Sequence, residues 1–404
     1  MSEPKAETMK TRITAEIMKP EITAGITKPE IKAEITKSEI TAEIMKDVRK
    51  LLVIKLDHLG DLLLATPVFR AIKEKYPDVQ VDVLINPKAK AIVENNPFIR
   101  HTYTYSSIDF DRGNSMVEKN FLDNANAIEA VRAEHYDLAI GLREDLDNVP
   151  IQMMCGAKKN IGFRTHTKYA KYFDASAAND DRKHAAVVNF DLLSLIGIRQ
   201  PSVIQPEVFF KEEDKQWAEH FLKQNHVNAN DPIIGFSIGG GWFLNWWPIE
   251  NFISLGDRIY QEYPDATIIL IGGKAEKALE EKFIHSSHAK YVSAVDKTSI
   301  LQLIALYARM NFVVTNDGGP MHMATAAGTP VIAMFGPSPC ARFGPCGKDN
   351  VVLTKELPCS PPHASCPQFV KGQLPPCLDN KCMKAITVDE VFAKVQKKLS
   401  KRSE

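Results

Sequence analysis

Asp317, Gly318, Gly319 and His322 lie within six residues of one another, directly after the apolar run Phe312-Val313-Val314. The run reads as a buried strand. Asn316 to Gly319 is a turn, and Pro320 suits the first position of a helix, where its missing N–H costs nothing. Met321 to Ala327 forms that helix, Gly328 closes it, and Val331 to Phe335 is the next strand. Backbone N–H groups at such a helix start hold phosphate well. Asp317 falls at the carboxyl end of a strand, where open α/β sheets bind ligands. An equally good account of these residues alone is a tight glycine crossover with Asp317 as a helix cap.

A second unit of the same kind lies near the start of the folded region. Leu51 to Ile54 is a buried strand, Lys55 to Gly60 (KLDHLG) is a loop, and Asp61 opens a helix running to about Lys75. Val79 to Ile85, Tyr136 to Gly141 and a segment within Ala157 to Phe163 are further strands, and His184 to Ile196 is a helix ended by Gly197. After a polar, proline-spaced stretch, Gln200 to Pro232, the pattern starts afresh. It gives strand Ile233–Ile238, helix Ile249–Tyr263, strand Thr267–Ile271 and helices near Lys274–Ile284 and Ser299–Ala308. Alternating strands and helices mean parallel, doubly wound sheets. The expected organisation is a first Rossmann-like domain over residues 48–205 and a second over 206–386, facing each other across a cleft. A Cys-rich loop, 358–383, belongs to the second, and a C-terminal helix, 387–404, crosses back toward the first.

Residues Ile13 to Val48 repeat with a period of nine: ITAEIMKPE, ITAGITKPE, IKAEITKSE, ITAEIMKDV. Nine residues advance an α-helix by two and a half turns, so successive repeats face opposite sides. Pro20 and Pro29 interrupt a helix, and an odd period flips the faces of a strand. Residues 1–47 therefore read as a disordered or transiently helical tail, or as an adaptor that orders on a partner. The folded protein is expected to start near Asp47.

Composition narrows the function classes. Lys+Arg and Asp+Glu are both 50, giving zero formal charge, which argues against a nucleic-acid binder driven by bulk charge. No apolar run approaches the roughly 20 residues of a membrane span, and no apolar segment resembling a signal peptide stands near Met1. A cytoplasmic protein is the expectation. Seven cysteines do not look like a secreted disulfide framework. DHLGD is no G-x-G-x-x-G fingerprint, so a dehydrogenase is disfavoured.

Five blocks then carry a resemblance: VIKLDHLGDLLLATPVFRAIKEKYP, GGGWFLNWWPIENF, IILIGGKAE, FVVTNDGGPMHMATAAGTPVIAMFGPSPCARFGP and the late cysteines. In order and spacing the chain resembles glycosyltransferase family 9, the bacterial lipopolysaccharide heptosyltransferases, over roughly Arg49 to Val395. The resemblance implies a GT-B fold and inverting transfer of a heptose from ADP-heptose to a lipopolysaccharide core acceptor at the inner membrane surface, with no cofactor required for catalysis. It implies that Asp61 is the catalytic base. An acid at a helix start is held ionised by the helix dipole and can take a proton from an attacking hydroxyl; Asp57 is the fallback. It implies donor binding by Asp317, Gly318, Gly319 and His322, with Glu276 on the nucleotide ribose. Before the Trp-Pro of WPIENF the family usually carries a basic pair; here Asn245 and Trp246 stand there. Charge grows on a departing diphosphate, so another cation must serve, Arg342 or Lys274, or the enzyme is weak or specialised. Trp242, Trp246 and Trp247 either stack on a base or sugar or pack a core.

Cys359, Cys366, Cys377 and Cys382 lie in 24 residues rich in proline and glycine. A segment so poor in core residues needs a staple, and four thiolates suit a structural zinc or iron site. Free thiols are the alternative. Cys155, Cys340 and Cys346 read as structural. Three functions compete: the heptosyl transfer just described, transfer from another donor or to a protein acceptor, and a donor-binding scaffold without turnover.

Overall fold

The computed structural model describes residues 37–106, 117–143, 148–164, 170–228, 230–357, 359, 366, 377 and 379–400. Among the described residues, twelve strands form two six-stranded sheets, both wholly parallel. The first contains β1 (Lys50–Lys55), β2 (Gln80–Ile85), β3 (Thr102–Thr104), β4 (Leu138–Gly141), β5 (Lys159–Phe163) and β6 (Ala175–Ala177). The second contains β7 (Ile233–Ser237), β8 (Thr267–Ile271), β9 (Tyr291–Ser293), β10 (Phe312–Asn316), β11 (Val331–Phe335) and β12 (Val351–Thr354). The first sheet runs β3-β2-β1-β4-β5-β6, and the second, read from β9, runs β9-β8-β7-β10-β11-β12. Each half therefore repeats one order, and its strand sequence reverses between the first and fourth strands. That reversal opens a crevice at the strands' carboxyl ends. β1 with β4 and β7 with β10 are the strands whose ends matter.

The central strands form because their residues are apolar throughout and covered on both faces. β7, β8, β10 and β11 are buried along their whole length. Helices cover both faces. Ile249–Glu262, for example, turns Phe252, Leu255 and Ile259 inward. Trp247 is 1% exposed, edge-on to Phe252, with its indole N–H donating to Ile386 O at 2.8 Å. It is a core residue.

Three local expectations change. The helix expected from Asp61 to Lys75 is two helices, Leu59–Ala65 and Pro67–Lys75, because Pro67 starts a new helix and cannot sit inside one. The folded region begins ten residues before Asp47. Lys37–Met45 is helical, Ile44 is buried, Thr41 Oγ1 donates to Leu195 O at 3.1 Å, and Lys159 Nζ donates to Ile44 O at 3.0 Å. The physical reason is in the repeat itself: Ser38 replaces the proline of the earlier copies, so the final copy can enter a helix unbroken. The earlier copies, and the disorder expected of them, lie outside the described residues. Finally, the C-terminal helix, Val388–Ser400, does not cross to the first half. Val391, Phe392, Val395 and Leu399 join the core of the second sheet, and Arg258 stacks on Phe392 at 4.1 Å.

Candidate active site

The two glycine turns noted in the sequence meet. Helix Leu59–Ala65, after β1, packs against helix Gly319–Ala326, after β10. A Cβ built on Gly60 would lie 3.1 Å from His322 Cδ2, and one on Gly319 would lie 3.6 Å from Leu59 Cδ2. The approach is tight at Gly60, where a Cβ would crowd His322, and of ordinary contact distance at Gly319. Gly318, with φ 149°, holds a backbone conformation that side chains disfavour. It aims the start of its helix at the first half.

This approach brings two carboxylates from opposite halves within each other's field. Asp61 is partly exposed in the cleft. Its pKa is pushed from 3.8 up to about 6, first by burial and next by the charge of Asp57, against the pull of Lys55, Arg143 and Arg342. Asp317 is 9% exposed and its pKa is also raised to about 6, chiefly by burial, with the charge of Asp61 adding to it and hydrogen bonds from Ser338 and Asn245 opposing. Asp61 is thus ionised at neutral pH despite its surroundings, not because of a favourable helix start. A carboxylate with its pKa near the working pH is well suited to accept a proton in a transition state.

Asp57, the fallback base, is committed elsewhere. Lys55 Nζ lies 2.9 Å from its Oδ2 and Arg143 Nε 3.0 Å from its Oδ1. Lys55 also donates to Leu142 O at 2.9 Å. Sequence reasoning missed this triplet. Arg143 follows β4, and only the pairing of β4 with β1 brings it to Asp57, so the sheet order was the signal that could have found it.

On the second half, Asn245 Nδ2 donates to Asp317 Oδ2 at 2.9 Å, and Asn316 Nδ2 donates to Gly239 O at 3.0 Å. Asn316 Oδ1 accepts from Trp247 N at 2.9 Å. These bonds tie the turn after β10 to the loop after β7. His322 is 4% exposed and its Nδ1 has no hydrogen-bond partner among the described residues. Burial, then the neighbouring His184, lowers its pKa to about 3, so it is a neutral imidazole and not a cation. Glu276 is buried in the turn after β8, its Oε2 accepting from Gly273 N at 2.7 Å. A Cβ on Gly239 would fall 2.2 Å from Glu276 Cγ, so the carboxylate side chain fills the space that glycine leaves. Trp246 lies at the rim, donating from Nε1 to Gly240 O at 3.0 Å.

Two contacts clamp the loop after β11 onto the first half. His184 Nε2 lies 3.0 Å from Gly344 O, and Arg342 Nη1 donates to Asp180 O at 3.4 Å. His184 Nδ1 accepts from Ala186 N at 3.2 Å, which makes Nε2 the protonated nitrogen.

Among the described residues, no group of three or more His, Cys, Asp or Glu side chains is arranged to hold a metal ion. Burial raises the pKa of Cys382, with the charges of Cys377 and Cys359 adding to it. Cys366 N donates to Pro337 O at 3.0 Å. Most of the residues between these cysteines lie outside the described ones. No helix among the described residues is long and apolar enough to cross a membrane.

Comparison with known proteins agrees with this geometry. The family model for glycosyltransferase family 9 (heptosyltransferase) matches residues 125–368. Lipooligosaccharide heptosyltransferase 2 of Haemophilus influenzae is 25% identical over 302 residues, 71% of this chain and 83% of that protein. Among solved structures, a family 9 glycosyl transferase from Veillonella parvula superposes with a TM-score of 0.76 at 23% identity, covering 87% of this chain and 98% of that one. The E. coli ADP-heptose lps heptosyltransferase II gives 0.66 at 18% identity, over 88% and 100%. The two facing sheets are thus the GT-B arrangement.

Proposed function

Because the chain belongs to glycosyltransferase family 9, we propose that it is an inverting transferase that moves a heptose from ADP-heptose to a lipopolysaccharide core acceptor, without a catalytic metal. The observation that carries this reading is the meeting of Asp61 and Asp317 at the floor of the cleft, one carboxylate from each half. The first half, residues 48–205, takes the acceptor, and the second, 206–386, takes the donor. The acceptor sits at the inner membrane surface, with the protein on its cytoplasmic side.

In this mechanism the diphosphate lies on the N–H groups that start helix Gly319–Ala326, where the helix dipole favours an anion. His322, neutral and with Nδ1 unpartnered, faces the same turn and offers a hydrogen bond. Glu276 receives the ribose hydroxyls, and Asp317 with Asn245 contacts the sugar. Asp61 takes the proton of the acceptor hydroxyl as its oxygen bonds to the anomeric carbon. The bond from that carbon to the diphosphate oxygen breaks at the same time, and ADP leaves with the electron pair. Attack opposite the leaving group inverts the centre. Purified protein should transfer heptose from ADP-heptose, and Asp61→Asn should lower kcat by about a hundredfold or more while leaving ADP affinity little changed. Turnover undiminished in that variant would remove Asp61 from the mechanism.

Asn245 favours a second reading. Its amide stands where the family resemblance implies a basic residue, which keeps open a different donor or a protein acceptor. Donor competition in the same assay separates the two readings. ADP binding with no transfer from any donor would leave only a donor-binding scaffold. We further propose that the four late cysteines hold one structural zinc or iron ion, since four thiolates in a segment poor in core residues suit such a staple.

A further inference from the structure

We propose that Arg342 supplies the positive charge at the leaving diphosphate that Asn245 does not, so that the cation of this active site has moved from the loop after β7 to the loop after β11. The inference rests on the reading of the cleft as a nucleotide-sugar site.

The placement follows from the fold. β11 is the neighbour of β10 in the second sheet, so the loop after β11 lies beside the Asp317 turn. Ser338 in that loop approaches Asn245, with Asn245 Nδ2 3.4 Å from Ser338 Oγ, and it also bonds Asp317. The short helix Cys340–Phe343 follows at once. Arg342 thus stands one turn beyond a residue already in contact with the donor-side acid. Its guanidinium reaches across to Asp180 O, and Gly344 two residues on is held by His184. The side chain is therefore positioned at the seam of the two halves, half-buried. Its charge is felt by Asp61 and by His184. Lys274, the other cation near the cleft in sequence terms, is exposed at the Glu276 turn and is not among the charges that act most on Asp61.

A cation here does two things. When the carbon–oxygen bond to the diphosphate breaks, the electron pair stays on the phosphate oxygen, and a guanidinium stabilises that charge in two-pronged fashion. It also offsets Asp57 and Asp317 around Asp61, together with Lys55 and Arg143, and so keeps the base ionised.

The test compares Arg342→Gln and Arg342→Lys with wild type, using ADP-heptose for turnover and ADP alone for calorimetry. Arg342→Gln should lower kcat by about a hundredfold and weaken ADP by about tenfold or more. Its acid limb of kcat/KM should move to higher pH, because Asp61 loses a positive neighbour. Arg342→Lys should recover most of the ADP affinity. The double variant Asn245→Lys, Arg342→Gln returns a charge to the family's usual place and should regain at least about tenfold in ADP affinity over Arg342→Gln. A purely structural role for Arg342 predicts a lowered Tm with no rescue by Asn245→Lys. Unchanged ADP affinity in folded Arg342→Gln overturns the proposal. If wild type binds ADP but does not turn over ADP-heptose, the donor assignment fails while the ADP comparison still decides the role of Arg342.

Discussion

Asp61→Asn should stabilise the protein while disabling it, and the stabilisation should depend on pH. Asp61 has a pKa of about 6 in the folded chain against an ordinary 3.8. A carboxyl raised on folding gives up its proton more readily in the unfolded state. Below about pH 3.8 both states are protonated and the group has no effect. Between 3.8 and about 6 stability falls as pH rises, and above that the penalty is constant. Two units at 1.36 kcal/mol each set a ceiling of about 3 kcal/mol. Asp61 keeps some exposure in the cleft, so solvent screening reduces this to about 1 kcal/mol. The amide carries no charge and escapes the penalty. For a chain of this size the gain is about 1–2 °C in Tm at pH 8, shrinking toward zero near pH 4. Differential scanning calorimetry of both proteins over that range reads it directly. A variant less stable than wild type at pH 8, or an offset that does not vary with pH, would show that Asp61 is a helix cap and not a carboxylate held against its solvation.

Deleting residues 1–36 should leave Tm unchanged, whereas deletion through Lys46, or Ile44→Ala, should lower it; for the point variant the loss is about 2 kcal/mol, since Ile44 is buried against the first half. Equal Tm for both deletions would mean the helix Lys37–Met45 contributes nothing. Glu276→Ala should weaken ADP by about tenfold with kcat unaffected at saturation, which titration and steady-state kinetics distinguish. Metal analysis of protein prepared without chelators should find about one zinc or iron per chain, absent in Cys359→Ser, Cys382→Ser; none in wild type would leave the cysteines as thiols.

The interior strands were legible because burial on both faces demands unbroken apolar runs, and β7, β8, β10 and β11 have them. The short strands β3, β6 and β9 were not, since three residues, mostly half-buried, leave no period to detect. Pro67 was a readable break that the long apolar stripe around it concealed. At the site, Asp61, Glu276, Asp317 and His322 were named through motif resemblance, each local to one turn, and their roles are proposals. What escaped was everything made by pairing distant segments. Arg143 at Asp57 depends on β1 lying beside β4; Arg342 was named as a candidate cation, but its contact with Asp180 depends on the two halves closing. The upward shift of the Asp61 pKa escaped too, because a helix start promises an acid stabilisation that burial here outweighs.

The docked helix Lys37–Met45 also bears on how the gene can change. A nine-residue period is a whole number of codons, so gain or loss of a copy preserves the reading frame. The first copy, Ile13 to Lys19, and the last, Ile40 to Lys46, share the same seven residues, ITAEIMK. Recombination that pairs them removes everything between, yet rebuilds the same segment, with Thr41 and Ile44 replaced by their counterparts Thr14 and Ile17, in front of Asp47. Loss of copies by that route would leave the sequence of the segment that touches the first half unchanged.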